Sequence, residues 1–221
     1  MYINIETKQL EEIMKKIIFL ITMMTVILVG CGDNKEEYRA FYTALETPIN
    51  IESDIQEISG QYDALEAEKS EYQEEVNTAD RTRLAELSNL LLENTSEREV
   101  LINEERAIMT ESEESLAEIR TLADSIPVEE YQAEANELIE LMEARYSAHD
   151  DMQSSIEAML ETETQLFETY ASDALTQDDI DALLEDLSEH YIAVNENSEN
   201  YHAATSAVNQ HRSDIMDTLN N

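Results

Sequence analysis

The chain has 221 residues, 51 of them acidic and only 13 Lys or Arg, giving a net charge of −38. Such a field repels phosphate backbones and anionic headgroups, which excludes nucleic acid as a partner and disfavours direct adhesion to an anionic bilayer. One cysteine excludes an intramolecular disulfide framework, and three glycines with two prolines leave few points at which long helices can be interrupted.

Residues 1–13 carry Glu6, Glu11 and Glu12 where the start of a secretory signal should be positive, so initiation is expected at Met14. From there MKKIIFLITMMTVILVGC supplies Lys15 and Lys16, a 13-residue apolar or Thr-containing run over residues 17–29, and a lipobox of Leu28, Val29, Gly30 and Cys31. The run suits a signal h-region and falls short of the roughly 18 to 20 residues that a spanning helix needs. Residues 1–30 are therefore predicted to be a lipoprotein signal peptide, removed to leave Cys31 as a lipidated first residue on the outer face of the cytoplasmic membrane. Each buried methylene contributes about 0.8 kcal/mol, so several acyl chains make a stable anchor. The plainer alternative is an ordinary cysteine closing a short apolar anchor; the lysines, the run length and the uniqueness of Cys31 favour lipidation.

The 191 residues from Cys31 onward keep ten basic and 48 acidic residues, and the excess runs evenly along the chain. A solvated acidic coat suited to salty or alkaline surroundings explains this more simply than a divalent-cation-binding surface does. Residues 31–35 read as the lipidated cysteine and a polar tether, and residues 36–221 as one helical-bundle domain. A first helix is expected from Glu36, with Tyr38, Tyr42, Leu45 and Ile49 leading to Pro48, where the missing amide should kink or restart it. A seam of Ile51, Ile55, Ile58, Tyr62, Leu65, Lys69, Tyr72 and Val76 follows in alternating steps of four and three, the period of helices packed with a left-handed twist. Gly60 is a tolerated weak spot.

A turn is expected around residues 77–80, followed by a second seam of Leu84, Leu87 and Leu91 that continues through Leu101, Ile108, Ile119 and Leu122. Asn94, Arg98, Glu105, Ser112 and Ser115 fall on its seam positions, which favours a weakly packed or partly exposed segment over a polar cleft or hinge. Residues 124–127 form the clearest boundary, with Pro127 at an early helical position and Glu129 and Glu130 near the positive end of the next dipole. The third seam reads Val128, Tyr131, Ala135, Leu138, Met142, Arg145, His149, Met152, Ile156, Met159, Leu166 and Tyr170. Thr176 reads as the N-cap of a fourth helix, with Ile180, Leu183, Leu187, Tyr191, Val194, Tyr201, Val208, Ile215 and Leu219 as its seam. Four segments of roughly 40 residues, each about 60 Å long, predict an all-α fold: an elongated up-and-down bundle of four long antiparallel helices. A three-helix antiparallel coiled coil with a shorter fourth helix is the rival.

The stretches Leu141-Met142-Glu143-Ala144-Arg145-Tyr146, residues 167–170, and Leu175-Thr176 leading into Ile180-Asp181-Ala182-Leu183-Leu184 resemble the YkyA-type lipoproteins of Gram-positive bacteria, a likeness that extends over the mature chain. The resemblance implies a surface lipoprotein with a long helical bundle and cell-wall binding, and it implies no catalytic residues. This chain departs from that pattern in its scarcity of lysine and its acidity.

Glu199 and His202 have the E-x-x-H spacing of di-iron bundles, but no second such pair accompanies them, and His190, His202 and His211 lack a close chelating pair for zinc. No glycine-rich turn exposes a nucleophile, builds an oxyanion hole or cradles a phosphate. Neither an enzyme nor a cofactor is expected. All nine tyrosines after Cys31 lie on the seams or, for Tyr146, directly beside one, which favours packing over a role as sugar platforms. The expected function is a non-enzymatic, membrane-anchored envelope protein that binds wall polymer such as peptidoglycan, or acts as an adaptor or spacer for another envelope protein. The alternative is an envelope module for a small ligand or divalent metal.

Overall fold

A computed structural model describes residues 35–172 and 176–221, and every element among them is helical. The first rod comprises α1 (Glu36–Ala44), α2 (Glu46–Ile51), a 3-10 turn (Glu52–Asp54) and α3 (Ile55–Val76). The second comprises α4 (Arg81–Glu114) and α5 (Leu116–Asp124); the third and fourth are single helices, α6 (Glu129–Tyr170) and α7 (Gln177–Asn220). They run up and down as a four-helix bundle, the predicted fold. The 42 residues of α6 and 44 of α7 make rods of about 60 to 65 Å.

The rods start and stop for local reasons. Pro48 has no N–H to give the carbonyl of Ala44, so the helix ends there and restarts with Pro48 in the first turn of α2, where amide donors need no partner. The interruption thus falls at Leu45, three residues ahead of the proline. Asp80 caps α4 by accepting the N–H of Arg83 at 2.9 Å. Thr176 and Asp179 close a reciprocal capping box on α7, with Asp179 N–H donating to Thr176 Oγ1 at 3.2 Å. Pro127 stands outside its helix instead of within it: Val128 is the N-cap and α6 begins at Glu129.

The four seams face inward. In α6, Ala135, Leu138, Met142, Arg145, His149, Met152, Met159 and Leu166 are all buried. Tyr38, Tyr146 and Tyr201 are buried, and the other six tyrosines after Cys31 are half-buried. One apolar cluster gathers Tyr38, Phe41, Leu116, Ile119, Leu138 and Ile215 at the end where the chain enters. A second joins Leu91, Ile102, Leu160, Phe167, Leu187 and Val194 toward the other end, and half-buried Ile156 packs on both. At the entry end, Lys35 Nζ donates to the Thr218 carbonyl at 2.8 Å and Arg39 to that of Leu219 at 3.4 Å. Two cations thereby satisfy orphan carbonyls at the negative end of the α7 dipole.

Candidate functional site

The second seam is not weakly packed, as its polar positions suggested. Asn94, Arg98 and Ser112 are buried, and each is held by neighbouring rods. Arg98, with no exposed surface, donates to the carboxylates of Glu66 in the first rod and Glu163 in the third. Its Nε reaches Asn94 Oδ1 at 2.9 Å, and Nη2 reaches Thr95 Oγ1 at 3.1 Å. Lys69 Nζ lies 2.8 Å from Glu163 Oε1 and also pairs with Glu66, while Tyr191 of the fourth rod donates to Glu163 at 2.9 Å. Two cations and two carboxylates cancel inside the bundle.

Burial alone would raise the Glu163 carboxyl. The Lys69 ammonium and Arg98 guanidinium outweigh it and hold the group down at about 2. Burial likewise opposes the charge on Lys69, and Glu163 and Glu66 overcome that, lifting it above the usual lysine range. Glu163 was not among the predicted seam residues. Its signal lay in the seven-residue step from Met159 to Leu166, whose omitted intermediate position it fills.

A second network hangs on the 3-10 turn, which delivers Glu52 to the interior. Arg145 grips both its oxygens, Nη1 to Oε1 at 2.9 Å and Nη2 to Oε2 at 2.7 Å, and Nη2 also reaches the Tyr201 hydroxyl at 2.8 Å. Ser112 Oγ donates to Glu52 Oε1 at 2.7 Å and Tyr146 donates to the same oxygen at 3.1 Å. Burial raises the Glu52 carboxyl, and the Arg145, Ser112 and Tyr146 bonds bring it below the ordinary range. One turn along α6, His149 Nε2 sits 3.0 Å from Glu105 Oε1 and 3.2 Å from Gln153 Nε2, with its ring edge-on to Tyr201.

These carboxylates are kept ionised and fully engaged, whereas a general acid at neutral pH needs a raised value and room for a substrate. Between them they link all four rods through buried polar contacts. A shallow groove of about 250 Å³ between α4 and α6 passes above Tyr146 and His149, with Arg106, Met109, Thr110 and Glu113 on its walls. Thr110 directs its hydroxyl to the Arg106 carbonyl.

The E-x-x-H residues Glu199 and His202 are both exposed, while His190 and His211 are half-buried, with the His211 ring bonded to the Glu134 carbonyl. Among the described residues no group of three His, Cys, Asp or Glu side chains is placed to hold a metal, and no helix is long and apolar enough to cross a membrane. Leu28, Val29, Gly30 and Cys31 lie outside the described residues.

Comparison with known proteins agrees with this architecture. Residues 36–218 match the YkyA family, described as "Putative cell-wall binding lipoprotein". The uncharacterized lipoprotein YkyA of Bacillus subtilis (strain 168) is 27% identical over 197 residues, covering 88% of each chain. A crystal structure of a conserved protein of unknown function from Staphylococcus aureus superposes with a TM-score of 0.77 at 19% identity, over 85% of this chain and 97% of the other, a likeness of fold.

Proposed function

The chain belongs to the YkyA family of lipoproteins, and on that premise we propose that it is a non-enzymatic strut of the cell envelope, anchored through Cys31 to the outer face of the cytoplasmic membrane. Residues 1–30, or 14–30 if initiation is at Met14, act as the removable signal; residues 31–35 tether the bundle. The observation that carries the proposal is the docking of Lys35 and Arg39 on the last carbonyls of α7. Only four residue steps separate Lys35 from Cys31, at most about 14 Å of extended chain. That short reach keeps the entry end near the bilayer and supports a rod whose far turn, residues 77–80, stands about 60 Å out. The acidic coat repels anionic headgroups, which favours standing off the surface over lying on it.

At its outer half the strut contacts wall polymer or another envelope protein. Cys31→Ser should lose lipid label and move from the membrane to the soluble fraction with its melting temperature unchanged; a membrane-retained, lipid-labelled variant would sink the anchor. Co-sedimentation of the delipidated bundle with purified peptidoglycan, across salt and calcium levels, tests wall contact. Absence of binding in every condition would remove that clause and leave the adaptor role.

A further inference from the structure

Among the described residues three large apolar side chains are exposed, and two share one stripe of α7: Leu184 at 42% and Ile192 at 57%. They are eight residues apart, about 12 Å along the helix, with exposed Ser188 between them. Neither is needed by the seam, which Leu183, Leu187, Tyr191 and Val194 already serve. Exposed Glu185, Glu189 and Glu196 border the stripe on the side away from the seam, and among the described residues none of the three has a cation paired with it. The first ten residues of α7 contribute no buried side chain, so this segment leans lightly on the bundle. An apolar line bordered by unpaired carboxylates matches an amphipathic helix whose apolar residues recur at the same spacing beside a row of lysines or arginines.

We propose that the Leu184–Ile192 face of α7 is a docking surface for a basic amphipathic helix of a partner protein. Its place fits the strut reading, on which the proposal rests for its biological setting. Counting back from Asn220, the stripe lies about 42 to 54 Å from the anchored end. A second copy of this chain is a poor occupant, because each brings a charge of −38.

The test uses a synthetic Leu/Lys amphipathic helix about two heptads long and its scrambled isomer of identical charge. Each is titrated calorimetrically into the delipidated chain at about 0.5 M NaCl, where exposed charges are largely screened. The amphipathic peptide should bind one to one, unchanged to Val100→Gln and about tenfold more weakly to the Leu184→Gln/Ile192→Gln variant, since the exposed parts of Leu184 and Ile192 together amount to about one aliphatic side chain, whose burial is worth about a factor of ten or more. Because these side chains point outward, the variant should keep its helicity and melting temperature. Equal binding by the scrambled peptide, equal binding to the double variant, or a dimer in sedimentation that the double variant abolishes would each overturn the proposal. None of these outcomes bears on Cys31, so failure here leaves the anchor to stand or fall separately.

Discussion

Glu163 is the side chain on which most of the interior polar structure converges. It accepts from Lys69, Arg98 and Tyr191, which reach it from three different rods. Replacing it with Ala leaves two buried cations facing one carboxylate, and removing one partner from a buried ion pair costs about 3 to 5 kcal/mol. Glu143→Gln breaks only the exposed bridge to Arg120, and exposed pairs contribute about 0 to 1 kcal/mol. Denaturant melts of the two variants should therefore separate clearly; equal losses would mean the cluster is not closed in solution.

The same residue sets a pH dependence. Its folded value is depressed, so its contribution is present above the unfolded carboxyl value of about 4.3 and is lost as pH falls toward about 2. Lys69, Tyr62, Tyr146 and Tyr191 are raised; their contributions are present below about pH 10 and are lost above it. The stability difference between wild type and Glu163→Gln cancels the titration of the surface carboxylates. It should be flat from about pH 5 to 9 and shrink in acid; a difference that grows as pH falls would contradict the assignment.

At the scale of the helices, period and capping carried most of the prediction. The steps of three and four located all four inward faces, and Thr176 marked the start of α7, where its capping box with Asp179 stands. Thr176→Ala should cost about 1 kcal/mol and speed amide exchange in the first turns of α7 ahead of the rest of the helix. The polar stretch of α4 was misread because periodicity says which face a residue occupies and nothing about its partner. Arg98 meets Glu66 across 32 residues and Glu163 across 65, so its neutralisation is visible only once three rods are assembled. The helix break at Ser115 was equally illegible, since no glycine or proline marks it. Ser115 Oγ bonds back to the Ser112 carbonyl, while Ser112 is drawn to Glu52 and Tyr146 across the bundle.

For the whole molecule the charges are segregated. Lys69, Arg98 and Arg145 are buried with carboxylates, and Lys35 and Arg39 are engaged by α7 carbonyls. Arg83, Arg106 and Arg120 bridge to acids on the surface, which leaves the exterior dominated by carboxylates that repel one another. Raising NaCl from about 0.1 to about 1 M shortens the Debye length from about 10 to about 3 Å, and the melting temperature should rise. A melting temperature indifferent to salt would mean the coat exerts no strain on the fold.

The seating of Lys35 and Arg39 on the end of α7 also decides how the molecule would carry load. A pull between Lys35 and the outer turn at residues 77–80 runs along the first rod from end to end, so that rod must stretch against all the side chains interlocked with it at once. A pull applied between Lys35 and Thr218, which are bonded to each other at one end, would instead part α1 from α7 one turn at a time. On the anchoring proposed above, a tether at Cys31 would load the bundle lengthwise, its mechanically resistant direction.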